Sequence, residues 1–300
     1  MARDTKLDLH GIIPPLVTPF DADENVDADA VRAEVRHHLD LGVHGVCVTG
    51  STGEGAAVSA DDAVTVATAA VKEAAGDVPV IAGIIRDSAR EVVRYGRALR
   101  ETGVDALQVT PVHYLFRPDA DTTVEYYRHI AEGTGLPIVI YNVVPWATIA
   151  APTVARILDE VPEVVAVKQS GGDMHALADL LHLAPAGGRV LTAVDDLLYP
   201  SYLLGAQGAI AATLTVVPEL CVRQWDAVGR GDHATALAVH DRLLPIWRAI
   251  DGPNMPARIK AALAMQGRDG GRARSPMNPV SDAERDAIRD ALRRAGMITT

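Results

Sequence analysis

PIVIYNVVPWATIAAPTVARILDEVPEVVAVK, residues 137–168, contains the unit from which most of the chain is built. A short run rich in Val and Ile, Pro137–Tyr141, gives way to a longer amphipathic segment, and a second run, Val164–Lys168, follows. Short apolar runs separated by helical patterns are the mark of βα units. The alternation recurs every 25–35 residues or roughly so, with further strand candidates at Gly11–Val17, Gly45–Val48, Val80–Gly83, Ala106–Val109, Arg189–Ala193 and Gly208–Ala211. Helix starts stand between them: Asp27 before AlaAspAlaValArgAlaGluVal, Ser59 before a run ending at Gly76, and Ser88 before a run ending at Gly103. Eight strands alternating with helices, without a break in composition, predict an α/β chain folded as a (β/α)8 TIM barrel rather than an open doubly wound sheet.

The barrel is expected over residues 1–225 as the catalytic domain, with a C-terminal helical region over 226–300. That appendage reads as helices at His233–Arg248, Pro256–Met265 and Asp282–Ala295, the last opened by Ser281. Between them GlyArgAspGlyGlyArgAlaArg at 267–274 is glycine-rich and basic, which reads as a solvated connection.

Composition narrows the function. The 300 residues carry 28 Lys and Arg against 39 Asp and Glu, a net charge of −11. Phosphate binding needs a basic footprint, so nucleic acid is not an expected partner. MARDTKLDLH is too polar for a signal peptide, and apolar runs such as Leu136–Val144 fall short of the roughly 20 residues that span a bilayer. Cys47 and Cys221 sit among apolar neighbours outside any CxxC spacing, as reduced core thiols of a cytoplasmic protein do.

A barrel of this kind builds its active site at the carboxyl ends of its strands. The sixth run, ValValAlaValLys, ends in Lys168. An amine projecting from an apolar strand end is partly desolvated, the setting in which lysine attacks a carbonyl and forms a Schiff base. Alternatively, Lys168 snorkels to solvent or pairs with Glu54. The fifth run ends in Tyr141, whose hydroxyl can relay protons at the same rim, or merely cap the core. The second leads into GlySerThrGlyGlu at 50–54, where hydroxyls and accessible backbone N–H groups suit a carboxylate, unless the loop serves only its own turn. In GlyGlyAsp at 171–173, Asp173 is read as a helix cap, because no GlyLysSer/Thr follows. HxH, HExxH, GxGxxG and GxSxG patterns are missing, which removes support for zinc, nicotinamide and serine-hydrolase chemistry.

Together, GlySerThrGlyGlu, TyrAsn at 141–142 and LysGlnSerGlyGlyAsp at 168–173 resemble the dihydrodipicolinate synthase and N-acetylneuraminate lyase family. ProProLeuValThrProPhe at 14–20, ValThrPro at 109–111, AspAsp at 195–196, GlyAlaIle at 208–210 and AsnMetProAlaArgIleLysAlaAlaLeu at 254–263 extend the resemblance over nearly the whole chain. It implies a metal-independent, cofactor-free lyase, commonly a homotetramer, that joins or cleaves pyruvate or another 2-oxo acid and an aldehyde through a lysine Schiff base. By that resemblance Lys168 is the Schiff-base lysine, while Tyr141 and Thr52 move protons. Ser51, Thr52 and Gly53 hold the carboxylate of the oxo acid, and Ile210 and Asp195 face the substrate. A second tyrosine, given by a neighbouring subunit in many members, corresponds to Tyr114 or, in this longer segment, to His113.

Substrate choice departs from the synthase pattern. Synthases carry an arginine shortly after the TyrAsnValPro stretch to grip the partner's carboxylate, whereas this chain has Trp146 and Ala147, leaving Arg86 and Arg117 as substitutes. SerThr in the loop and LysGln at 168–169 look more like the lyase branch, yet Trp146 and Ile149 do not suit a long polyhydroxylated sugar acid. The reading is therefore a 2-oxo-acid aldolase with an unassigned aldehyde. Its alternatives are dihydrodipicolinate synthase, a 2-keto-3-deoxy sugar acid aldolase or dehydratase, and a non-catalytic binding barrel.

Overall fold

A computed structural model describes residue 7 and residues 9–299, so the reading of the N-terminus as no signal peptide falls largely outside the described residues. Eight strands form one parallel sheet: β1 (Gly11–Ile12), β2 (Val46–Val48), β3 (Val80–Ile84), β4 (Ala106–Val109), β5 (Ile138–Asn142), β6 (Val164–Gln169), β7 (Arg189–Thr192) and β8 (Gly208–Ala209). Their spatial order is β1-β8-β7-β6-β5-β4-β3-β2. The ends of that sheet meet. His44 N–H donates to Ile12 O at 2.8 Å, Cys47 N–H to Pro14 O at 2.9 Å, and Leu16 N–H to Cys47 O at 2.8 Å, closing the barrel between β1 and β2.

Proline accounts for the brevity of β1, which the sequence extends to Val17. Pro14 and Pro15 have no N–H to give a ladder, so the chain leaves the regular strand after Ile12 and touches β2 through the single Pro15–Cys47 bridge.

The helices are α1 (Ala28–Asp40), α2 (Ala60–Ala74), α3 (Ala89–Arg100), α4 (Ala120–Thr134), α5 (Ala151–Glu160), α6 (Met174–Leu183), α7 (Leu198–Leu203), α8 (Thr213–Val216), α9 (Pro218–Gly229), α10 (His233–Ile250), α11 (Met255–Met265) and α12 (Asp282–Arg294). Asp27 caps α1, while Ser59 and Ser281 form capping boxes with Asp62 and Glu284. Such caps satisfy N–H groups that have no partner within the helix. Ser88 occupies the cap position of α3 without a side-chain bond.

Strand residues divide by parity, as alternation requires. Ile13, Cys47, Ile81, Ala106, Val139, Leu191 and Ile210 fill the barrel interior, while Leu107, Ile140 and Val167 join the layer beneath the helices. Burial of both faces explains why the strands read as continuous apolar runs. Cys47 and Cys221 are free and buried, and burial pushes the Cys47 thiol up to about 12, an inert state. Among the described residues no helix is long and apolar enough to cross a membrane.

Two features of the C-terminal part differ from expectation. Helix α9 is continuous across residue 225, where the sequence places the domain boundary. The segment 267–274 is no solvated connection but a strap. Arg268 forms a buried ion pair with Glu34 and donates to Val216 O at 3.2 Å, while Arg274 pairs with Asp62 at 2.8 Å. The glycines let the backbone run close to Phe20, and Arg272 N–H donates to Phe20 O at 3.1 Å. Arg268 and Arg274, which look like solvated charge, are paired with acids on α1 and α2.

Candidate active site

Tyr141 and Lys168 are register partners on β5 and β6, and parity turns both side chains inward. The Lys168 Nζ stands 4.5 Å from the centre of the Tyr141 ring, and the residue is only 6% exposed. Glu54 does not pair with it. Both Glu54 oxygens are committed to the C-terminal part: Oε1 accepts from Lys260 Nζ at 2.6 Å and Oε2 from the Arg274 backbone N–H at 2.8 Å. Lys260 also donates to Thr18 O at 2.7 Å and to Arg272 O at 2.5 Å. Burial lowers the Lys260 pKa, and the Glu54 carboxylate offsets part of that shift.

That pair anchors the loop after β2. Glu54 has φ +56°, a left-handed conformation unusual for a residue with a side chain. Gly55 N–H closes onto Gly50 O at 2.9 Å, and a β-carbon at Gly55 would lie 1.9 Å from Thr49 O, so only glycine fits. The Gly53 carbonyl accepts from Thr18 Oγ1 at 2.7 Å. Ser51 is thereby presented to β5. The Tyr141 hydroxyl donates to Ser51 Oγ at 2.8 Å and accepts from Ser51 N–H at 3.0 Å. The bonded partner of the tyrosine is thus Ser51 rather than Thr52, which is buried one residue further along the loop.

Ile210 lies in the barrel interior, with its N–H on Thr192 O at 2.9 Å. Asp195 is held against the wall by the Thr213 backbone N–H at 2.6 Å and by the Thr213 hydroxyl. Burial pushes its carboxyl up to about 6, although the Thr213 bonds and the Lys168 charge favour the anion. Its neighbour Asp196 pairs with Arg248 on α10 at 2.8 Å.

Tyr114 is not brought to this cluster within one chain. It is 68% exposed, between the inward loop and the exposed Leu115 and Phe116. Asp87 fixes the turn by accepting from His113 N–H at 2.6 Å and Tyr114 N–H at 3.1 Å, and Trp146 Nε1 donates to His113 O at 2.9 Å. Of the two substitute arginines, Arg86 is spent on Ile85 O and Val58 O and stacks over Tyr95. Arg117 instead lines a cavity of about 120 Å³ together with Ala147, Thr148 and Ile149. No local pattern marks Lys260, Asp87 or Thr213 as supports, since each acts on a residue far along the chain.

A buried amine without a bound acid, beside a phenol already hydrogen-bonded to a serine, is equipped to attack a carbonyl and to move a proton next to it. The sequence model of the Dihydrodipicolinate synthetase family matches residues 8–295. The chain belongs to that family. This family member is a carbon–carbon lyase of the aldolase type.

It is 35% identical over 297 residues to an uncharacterized DapA-like lyase of Halobacterium salinarum, covering 97% of this chain and 96% of that one. To the 4-hydroxy-tetrahydrodipicolinate synthase of Methanopyrus kandleri it is 32% identical over 294 residues, covering 97% of each. Among solved structures, YagE, a prophage protein of the dihydrodipicolinic acid synthase family from E. coli K12 in complex with pyruvate, superposes with a TM-score of 0.91 at 26% identity, covering 96% of this chain and 99% of that one.

Proposed function

We propose that Lys168 forms the Schiff base with pyruvate or another 2-oxo acid, and that the resulting enamine adds to, or is released from, an aldehyde. The observation that carries this reading is the Tyr141 hydroxyl bonded to Ser51 beside a buried Lys168 that Glu54 leaves free. The amine attacks carbon 2, water leaves, and the cationic imine withdraws electrons from carbon 3. Ser51, Thr52 and Gly53 receive the carboxylate, Ile210 and Asp195 border the substrate, and Tyr141 with Ser51 or Thr52 carries the proton.

The aldehyde is one without a carboxylate on the Trp146 side. Ala147 supplies no cation there, and burying an unpaired carboxylate loses its hydration without recompense. Arg117 is the residue that admits an anionic partner if one is used.

The active form is a homotetramer in the cytoplasm, with the barrel as catalytic domain and the last helices as its appendage. Tyr114, Leu115, Phe116 and Trp146 are all exposed, and burying a large apolar side chain is worth roughly 1.5–3 kcal/mol. A neighbouring copy covers them, and Tyr114 then completes the proton relay of that copy.

Exchange of the pyruvate methyl protons in deuterated water, followed by proton NMR, tests this reading. Exchange by the wild type and none by Lys168→Ala supports it. Exchange that survives in Lys168→Ala overturns it.

A further inference from the structure

On β4, parity turns Ala106 and Gln108 into the barrel, two residues apart. The pairing registers run from Gln108 through Val139 on β5 to Ala166 on β6, and from Tyr141 to Lys168. With a barrel stagger of about one residue per strand, Gln108 falls on the tier that holds Lys168, with Cys47 and Ile210 completing it. The Lys168 charge is felt at the Cys47 thiol, as that tier requires.

Gln108 is fully buried, and neither its amide nitrogen nor its amide oxygen has a hydrogen-bond partner. A β-carbon on Gly50 would lie 3.5 Å from the Tyr141 hydroxyl and 3.8 Å from the Gln108 amide nitrogen, so phenol and amide flank one point of the loop. The surroundings below, Ile81, Ala106 and Val139, are apolar. Leaving both ends of a buried amide unpaired is unfavourable, and Leu or Met would fill the same volume without that loss. Packing therefore does not explain the residue.

We propose that Gln108 is a specificity-determining residue that hydrogen-bonds a hydroxyl on carbon 3 of the bound 2-oxo acid, so that the site prefers 3-hydroxylated 2-oxo acids to pyruvate. A hydroxyl both donates and accepts, and so satisfies both ends of the amide; a methyl satisfies neither. The carboxylate has its own donors in the 50–53 loop. With carbon 2 joined to Lys168 and the carboxylate in that loop, carbon 3 turns to the remaining polar group on the tier. This inference rests on the assignment of Lys168 as the imine-forming residue.

Calorimetric affinities of 3-hydroxypyruvate and pyruvate, measured on the wild type, Gln108→Leu and Gln108→Met, test it together with borohydride trapping. The wild type binds 3-hydroxypyruvate roughly tenfold more tightly, and the ratio falls to about one in both variants. If Gln108→Leu does not fold, the unbranched Met variant carries the comparison. No binding of 3-hydroxypyruvate, a wild-type ratio at or below one, or a ratio that the folded variants leave unchanged overturns the proposal. Trapping separates it from the imine reading. A Gln108-dependent ratio without any Lys168 adduct overturns the imine and keeps the hydroxyl site, whereas an adduct with a Gln108-independent ratio overturns the hydroxyl site alone.

Discussion

Lys260 and Lys168 are both nearly sealed from water, yet Lys260 has three oxygens within hydrogen-bond distance while Lys168 faces the ring of Tyr141. Glu54, Thr18 and Arg272 saturate the donors of Lys260, so its amine is committed to tying α11 and the strap to the loop after β2. Lys168 has no such commitment, and Asp195, a carboxylate that its charge reaches, is itself engaged by Thr213. Burial alone does not make a lysine a nucleophile. What separates the two is whether the fold supplies an acid to hold the proton in place.

Exchanging each lysine for arginine sharpens this contrast most. Lys168→Arg keeps the charge but loses the nucleophile, so turnover falls below detection in steady-state assay. Lys260→Arg keeps a cation for Glu54 and retains turnover. Next in size, Tyr141→Phe removes the hydroxyl next to Lys168 and slows proton exchange at carbon 3 by roughly 10²–10⁴, with a much smaller change in oxo-acid affinity. Unchanged exchange assigns the proton to another group.

Lys260→Met leaves Glu54 buried and unpaired. It costs about 3–5 kcal/mol in urea unfolding, and it raises the KM for the oxo acid as the loop loses its anchor. A variant as stable as the wild type means that the pair does not hold the loop.

The smallest effect concerns Asp195. Its carboxyl is raised from 3.8 to about 6, so between those values the native state holds more protons than the unfolded one. This group's stabilisation is full below about pH 4 and is lost as the pH rises through about 6, an effect on the order of 3 kcal/mol at most. The difference in stability between the wild type and Asp195→Asn, measured from pH 4 to 7, follows that slope. A flat difference shows that Asp195 titrates as in water.

The barrel was legible because parallel strands buried on both faces leave apolar runs at regular intervals, and because Lys168 and Tyr141 end two of them. The apolar run marks Ala106–Val109 to the residue, while for β1 it continues through Pro14 and Pro15, whose missing N–H groups end the strand. Glu54 and Lys260 are 206 residues apart, and no local pattern couples them. For the same reason the strap looks solvated by composition, although Arg268 and Arg274 meet acids brought close only by the closed barrel. Gln108 did leave a signal, an amide at an inward position of an apolar strand, but its lack of partners shows only once the tiers are assembled.

In the proposed reaction the imine forms at the lysine without a bound acid. Trapping with borohydride in the presence of a 2-oxo acid, followed by mass-spectrometric peptide mapping, reads out where it forms. One adduct is expected, on Lys168, absent from Lys168→Arg and present in Lys260→Arg. An adduct on Lys260, or one that persists in Lys168→Arg, would contradict it.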